Sequence, residues 1–350
     1  MARIWFAANQ GDLGGGEVMT LHLATAARAL GHDARIVCPA EPNRLLAAAT
    51  AAGFRTVAVR GRSGARYAAN LAAWDVAERS GLLWANGLRT AAATAGHLNR
   101  VVHLHQLPRG KQSWVLPVAR FGARVLVVPS RFLADRLPGA VVLPNWTVSF
   151  AKPRFDRRLF GPSRPYPVRL GFLGRPSTLK GVDVLAEALA LLDRERPGGY
   201  RLLLAGEPAY LDRDDRARTE TALAPVAHLV DRVGWMERTD FFDTVDLAVF
   251  PSVIEESFGL VVAEAMSVGC PYVITSAGAL PEVAGEHLYV AASADPASLA
   301  GTIAHAVTGY SRSMAEDAHD RWQDCFSPEA GLVALEALLG RLLETGEVER

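Results

Sequence analysis

Apolar residues fall along this chain in two alternating patterns. Short continuous runs recur: "ARIWFAA", "ARIVCP", "LLWAN", "RVVHLH" and "VLVVPS" in the first half, and "VRLGFLG", "RLLLAG", "LVDRVGW", "DLAVFPS" and "PYVITS" in the second. Runs of this length without strict alternation predict strands buried on both faces, as in parallel sheets. Between them lie stretches with helical spacing, such as "GEVMTLHLATAARALG", closed by Gly31, and "GVDVLAEALALLDRERPG". The end, "SPEAGLVALEALLGRLLETG", predicts a helix with Ser327 as N-cap and Pro328 at its first position. Strand–helix alternation throughout predicts an α/β protein. At roughly 100–200 residues per domain, the 350 residues divide into two doubly wound, Rossmann-like domains. Ligands of such sheets bind outside the carboxyl ends of the strands, so two sets of loops are expected to face across a cleft.

Charge sharpens the division. Residues 1–165 hold 22 Lys+Arg against 8 Asp+Glu, a balance of +14; residues 166–350 hold 15 against 29, a balance of −14. Between the halves, Pro153, Pro162, Pro165 and Pro167 read as a linker. The expected domains are 1–155, 156–325 and a final helix, 326–350. The cysteines, Cys38, Cys270 and Cys325, are far apart and form no CxxC pair, so buried reduced thiols are expected, in keeping with a cytosolic compartment. No signal peptide is expected, and no apolar run approaches the roughly 20 residues of a membrane span.

Candidate chemistry sits where strands end. "PSVIEESFGLVVAEAMSVGCP" follows the strand "DLAVF". Its helix is expected to begin near Phe258 and end at Gly269. Glu256 then lies in the loop before the helix, and Glu264 about two turns in, roughly 9–12 Å along the axis at 1.5 Å per residue. Carboxylates that far apart suit two parts of one long ligand, such as a sugar nucleotide; the bland alternative is a capping Glu256 and a solvated Glu264. The amides of Phe258, Gly259 and Leu260 are helix-start donors suited to phosphate. "GFLGRPSTLKG" places Arg175 and Lys180 before a second helix, where two cations suit a diphosphate. They could equally be ordinary surface charges. "NQGDLGGGE" places Gly14, Gly15 and Gly16 after the first strand, where backbone can approach a ligand. It is not GxGxxG, and the chain has no GxxxxGK[ST]. In "VVHLHQLP", His103 and His105 share a side of a strand, with His105 nearer its end. A third metal ligand is lacking at useful spacing. Asn86 in "LLWANG" is similarly placed. "DRDD" at 212–215 reads as a solvated, charge-paired helix start, not a metal motif.

Together these segments resemble the retaining glycosyltransferases of family GT4, which have the GT-B fold. "EESFGLVVAEAMSVGCPYVIT" matches that family's E-x7-E motif at Glu256 and Glu264, and "GFLGRPSTLKG" matches its Arg/Lys diphosphate loop. "LGGGEVMTLHLATAARALGHDARIVCP", "VVHLHQLP" and "VLPNWT" look like its glycine loop, its HxH-type strand end and its domain-crossing segment. The resemblance implies that Glu256 contacts the donor sugar and stabilises the transition state. By the same likeness the amides of Phe258, Gly259 and Leu260 hold sugar and phosphate, Glu264 binds ribose, and Arg175 and Lys180 neutralise the leaving diphosphate. Gly15 and Gly16 would close over the diphosphate, and His105 would orient the sugar. The last helix would cross back to the N-terminal domain. Gln106 departs from the pattern, following His105 where an acidic residue is frequent, and "NWT" replaces the usual Asn-Gly pair.

The expected activity is sugar transfer from a nucleotide donor, UDP- or GDP-linked, with retention of configuration. No cofactor or metal and no nucleic-acid partner are expected. Rival readings are a sugar-nucleotide 2-epimerase of the same fold and a non-catalytic sugar-nucleotide-binding protein. The acceptor side is the basic half. There "RGRSGARY" (Arg60, Arg62, Arg66) and the segment 100–136 gather positive charge, the latter interleaving Trp114, Phe121 and Phe132 with Arg109, Lys111, Arg120, Arg124 and Arg131. Such a mixture suits an anionic acceptor or membrane surface. Alternatively the opposite charges of the halves only favour domain closure. The expected location is cytoplasmic, with a peripheral position at the inner membrane face as an option.

Overall fold

The computed structural model describes residues 1–61, 63–161, 166–207 and 212–344. Arg62, Pro162 and Pro165, which figure in the expectations above, lie outside them. The chain forms two compact units, 1–146 with 328–350, and 147–327.

In the first unit the chain runs β1 (Arg3–Ala7), α1 (Gly15–Ala29), β2 (Asp33–Pro39), α2 (Arg44–Ala51), β3 (Arg55–Val59), α3 (Gly64–Ala77), β4 (Leu82–Asn86) and α4 (Leu88–Ala93). It continues through β5 (Arg100–His103), a 3-10 turn (Gly110–Val115), α5 (Leu116–Arg120), β6 (Ala123–Val128), α6 (Arg131–Ala134) and β7 (Ala140–Val142). The sheet order is β3-β2-β1-β4-β5-β6-β7, with parallel neighbours. The second unit runs β8 (Val168–Leu173), α7 (Val182–Glu195), β9 (Tyr200–Ala205), α8 (Arg213–Leu223), β10 (Val230–Gly234), α9 (Arg238–Thr244) and β11 (Leu247–Phe250). After these come α10 (Leu260–Ser267), β12 (Tyr272–Thr275), α11 (Leu280–Ala284), β13 (Val290–Ala291), α12 (Pro296–Gly309) and α13 (Arg312–Phe326). Its order, β10-β9-β8-β11-β12-β13, is also parallel. The last helix, α14 (Pro328–Glu344), packs on α1 of the first unit.

Both sheets are doubly wound and reverse direction between their first and fourth strands. The carboxyl ends of the strands at that point are the place such folds use for ligands. The central strands are apolar and fully buried, as the unbroken runs require: Ile4, Phe6, Leu83 and Trp84 in one core, Leu170, Leu202, Leu247 and Val249 in the other.

Local details depart from expectation. The unit boundaries fall at 146/147 and 327/328, not at 155/156 and 325/326. Thr147 already belongs to the second unit, because its amide donates to the Phe326 carbonyl and its hydroxyl accepts from the Trp322 indole at 3.0 Å. The proline-containing stretch is not a free tether at its start. The buried Arg157 guanidinium donates to the carbonyls of Phe242, Val268 and Gly269, satisfying carbonyls of the last turn of α9 and just past α10. α10 starts at Leu260, later than Phe258, because Phe258 is drawn into the core against Phe326 and Gly259 adopts φ 100°. Cys38 and Cys270 are buried, but Cys325 is exposed. On α13 the buried stripe is Ala315, Trp322 and Phe326, and Cys325 lies off it. Among the described residues no helix is long and apolar enough to cross a membrane.

Candidate functional site

In the second unit three strand-end loops converge. The loop after β8 carries Lys180, and that after β11 carries Ser252 and Glu256. Lys180 Nζ donates to Glu256 Oε1 at 2.5 Å, and Ser252 Oγ donates to the same oxygen at 2.6 Å. The loops are fastened by backbone. The amides of Val253 and Ile254 both donate to the Leu179 carbonyl. Gly181 has φ 73°, and a side chain there would collide with the Pro251 carbonyl. The loop after β12 closes the other side: Ala279 N–H donates to the Glu256 carbonyl at 2.8 Å, and a side chain on Gly278 would strike the Glu256 backbone. Arg175 is exposed and forms no ion pair among the described residues.

Asp215 supports the Lys180 loop. Its carboxylate accepts from the backbone N–H and the hydroxyl of Thr178. The 212–215 run is therefore not simply solvated, since Asp212 caps α8 through the Asp215 amide and Asp215 itself is buried. Asp212 is the capping carboxylate, and Asp215, in the first turn, is turned to hold the neighbouring loop. Among the described residues no three His, Cys, Asp or Glu side chains are grouped as metal ligands.

Glu264, on α10, is not solvated either. Its side chain is 6% exposed, and Oε1 accepts from Arg238 Nε at 2.8 Å. Oε2 is buried without a partner. Burial raises the pKa of this carboxyl, and the Arg238 charge opposes the rise. Arg238 and Ser252 went unmarked in the sequence, and Asp215 was read only as part of a solvated run, because each depends on a partner at least four residues away.

The first unit builds a different arrangement. Gly14 is the N-cap of α1, and Gly15 and Gly16 are its first residues, not a free loop. The Gly16 carbonyl accepts from the Thr20 hydroxyl at 3.0 Å, which accepts from Asn86 Nδ2 at 3.0 Å. Asn86 Oδ1 then lies 3.1 Å from His105 Nε2. With the Thr20 proton and the Asn86 amide so directed, His105 carries its proton on Nε2 and leaves Nδ1 as an acceptor. That Nδ1 is buried without a partner. Burial lowers the pKa of His105 to about 4, so the ring is neutral near pH 7. Gly16 is a glycine for room: a Cβ there would lie 3.3 Å from His105 Cδ2. His103 is fully buried and accepts from the Trp84 indole at 3.2 Å, a packed core histidine. Gln106 is exposed.

Residues 167–308 match the family of glycosyl transferases group 1. The matched residues include Lys180, Glu256 and Glu264. Curated relatives include the D-inositol 3-phosphate glycosyltransferase of Pseudarthrobacter chlorophenolicus, 36% identical over 42% of this chain and 34% of the relative. Another is the MMP alpha-(1->4)-mannosyltransferase of Mycolicibacterium hassiacum, 32% identical over 48% of this chain and 40% of the relative. The matched part spans about a third to two fifths of these relatives' length. In fold the chain is similar to sucrose-phosphate synthase of Thermosynechococcus elongatus, with TM-score 0.82 and 19% identity over 99% of this chain and 100% of that one. It is also similar to Anabaena HepE in complex with UDP-glucose, with TM-score 0.79 and 18% identity over 97% and 100%. The fold is GT-B, with two parallel-sheet α/β domains.

Proposed function

We propose that this protein transfers a sugar from a nucleoside-diphosphate sugar to an acceptor hydroxyl, with retention of anomeric configuration. The observation that carries this reading is the Lys180–Glu256 pair, held at strand ends within the residues that match the glycosyl transferases group 1 family. In the reaction the bond from the anomeric carbon to the diphosphate oxygen breaks and its electron pair leaves with the diphosphate. The acceptor oxygen bonds to the same carbon, and its proton passes to an oxygen of the departing diphosphate. Charge develops on the departing diphosphate and, with opposite sign, on the sugar. Lys180 and Arg175 stabilise the first, with the amides of Phe258, Gly259 and Leu260; Glu256 stabilises the second and accepts sugar hydroxyls. The unpartnered Oε2 of Glu264 suits a ribose hydroxyl. In the N-terminal domain, His105 Nδ1 suits a sugar hydroxyl, and Gly15 and Gly16 allow backbone approach.

UDP or GDP is the proposed nucleotide; the complex of HepE with UDP-glucose supports the former. The relatives named for inositol 3-phosphate support an anionic acceptor, and a cytoplasmic location fits both. Arg175, Lys180 and the helix-start amides carry the charge that a metal would otherwise balance, so transfer is proposed to be metal-independent. A thermal-shift panel of UDP-, GDP-, ADP- and TDP-sugars identifies the donor, and turnover of an α-linked donor is then followed by NMR. An α-linked product that persists in EDTA is expected. An inverted product, manganese-dependent activity, or an epimer formed without any acceptor would overturn the reading.

A further inference from the structure

The stretch from Arg79 to Ala134 contains no aspartate or glutamate and eight arginines or lysines. Several of these cations are engaged within the chain: Arg89, Arg120 and Arg124 donate to the carbonyls of Asn9, Pro138 and Leu342. Arg79 pairs with Asp75, and Arg100 is fully buried. Within the stretch the 3-10 turn runs directly into α5. Lys111, Trp114, Val118 and Phe121 are spaced three, four and three residues apart, which places them on one side of a helical run. All four are exposed: Trp114 by 85%, Val118 by 53% and Phe121 by 70%. The opposite side is anchored, with Ala119 buried and Leu116 packed on the core of Val102, Leu126 and Val128.

This apolar ridge is held rigidly from behind. The buried Arg100 guanidinium donates to the carbonyls of Ala119 at 3.1 Å and Phe121 at 2.5 Å, and also to Ala91 and Thr94. The Gly96 amide donates to the same Phe121 carbonyl at 2.9 Å. A cation buried among neutral acceptors is costly. Here it fixes the end of α5 that presents Phe121 to solvent. Phe132 behaves differently. It packs on the same core, with the Arg136 guanidinium 3.7 Å over its ring.

We infer that the Lys111–Trp114–Val118–Phe121 face is a docking surface for an anionic lipid bilayer. Trp and Phe insert at the headgroup boundary, where such rings are favoured. Lys111, with the exposed Arg109 two residues away in the chain, meets the negative surface potential. A protein partner fits less well, because lysine is depleted from protein interfaces while aromatics are enriched, and Lys111 stands in line with the ridge. The run begins five residues after His105, on the loop that leaves β5. Under the proposed function, on which only this last clause rests, docking would place that strand end near an acceptor carried at the membrane surface.

The test uses the full chain and needs neither donor nor acceptor, so its failure is distinct from failure of the transfer reading. Co-sedimentation is measured with phosphatidylcholine vesicles, with and without phosphatidylglycerol, at low and high salt. Binding is expected only with phosphatidylglycerol, and lost at high salt. Trp114→Ser/Phe121→Ser should weaken it at least about tenfold. Lys111→Gln should weaken it about fivefold, the equivalent of about 1 kcal/mol per cation near an anionic leaflet. Melting temperature should hold in both variants, since the substituted side chains are exposed. Absence of binding, equal binding to neutral vesicles, or unchanged binding by the double variant would overturn the inference. So would a self-association in ultracentrifugation that the double variant abolishes, which would assign the face to a second copy.

Discussion

The two domains wind their sheets in the same order and arm the carboxyl edges differently. In the N-terminal domain the strand ends carry a chain of neutral hydrogen bonds, Gly16–Thr20–Asn86–His105, with the imidazole held uncharged by burial. In the C-terminal domain they carry ion pairs, Lys180–Glu256 and Arg238–Glu264. Yet the N-terminal half is the one with strong net charge of the same sign as a phosphate binder, +14, while the C-terminal half is −14. The net charge of a half therefore does not tell where cations are placed at its strand ends. The cations proposed to meet a diphosphate lie in the acidic half, positioned by backbone contacts between loops.

This contrast can be broken at its charged end first. Lys180→Ala is expected to lower kcat/KM by about 2–4 kcal/mol, on the order of thirtyfold to a thousandfold, as for other electrostatic stabilisers. Its melting temperature should hold. Wild-type turnover in this variant would remove Lys180 from the chemistry. At the neutral end the larger effect is on acid stability. The folded pKa of His105 is about 4, below its ordinary 6.5. The unfolded chain therefore binds the proton first as pH falls. The stability this ring contributes is fully present above pH 6.5 and is lost between pH 6.5 and 4, by about 3 kcal/mol at 1.36 kcal/mol per unit. His105→Gln should flatten the denaturation midpoint across that window by a comparable amount, and an unchanged slope would mean the ring is protonated in the fold.

Next comes the buried carboxylate. Arg238→Leu leaves Glu264 without its cation and should cost about 1–3 kcal/mol in urea unfolding at pH 7. The deficit should shrink as pH is lowered, because burial already raises the Glu264 pKa and protonation removes the uncompensated charge. A pH-independent deficit would show that Arg238 acts by packing alone. The smallest effect is expected from Asn86→Ala, which frees the His105 tautomer. A drop in kcat of about tenfold, with KM nearly unchanged, corresponds to loss of one orienting hydrogen bond. A KM effect alone would assign Asn86 to ligand binding.

Legibility in the sequence followed pairing. Strands with neighbours on both sides, such as β1, β4, β8 and β11, were plain, because two-sided burial demands unbroken apolar runs. β3, β7 and β13 went unread, and all three are sheet edges with partly exposed residues. An edge strand pairs on one side only, so its composition is less constrained. Gly14, Gly15 and Gly16 were visible too, Gly278 was not marked, and the purpose of neither loop's glycine could be read. Gly16 makes room for His105, and Gly278 for the Glu256 backbone.

By itself the sequence determined the α/β alternation, the two-domain division and the strand-end positions of Lys180, Glu256 and His105. Each of these depends on near neighbours in the chain: apolar runs, helix caps and glycine turns. The tertiary structure alone decided that Lys180 meets Glu256, 76 residues on, and that Arg238 meets Glu264. It also turned Asp215 onto Thr178 and aligned Asn86 with His105. It placed the boundary at Trp146, and it left Trp114 and Phe121 outside the core while drawing Phe132 onto it. These outcomes depend on which side chains crowd the same space after the sheets wind, and close packing assigns each buried polar group one partner among several that the chain offers.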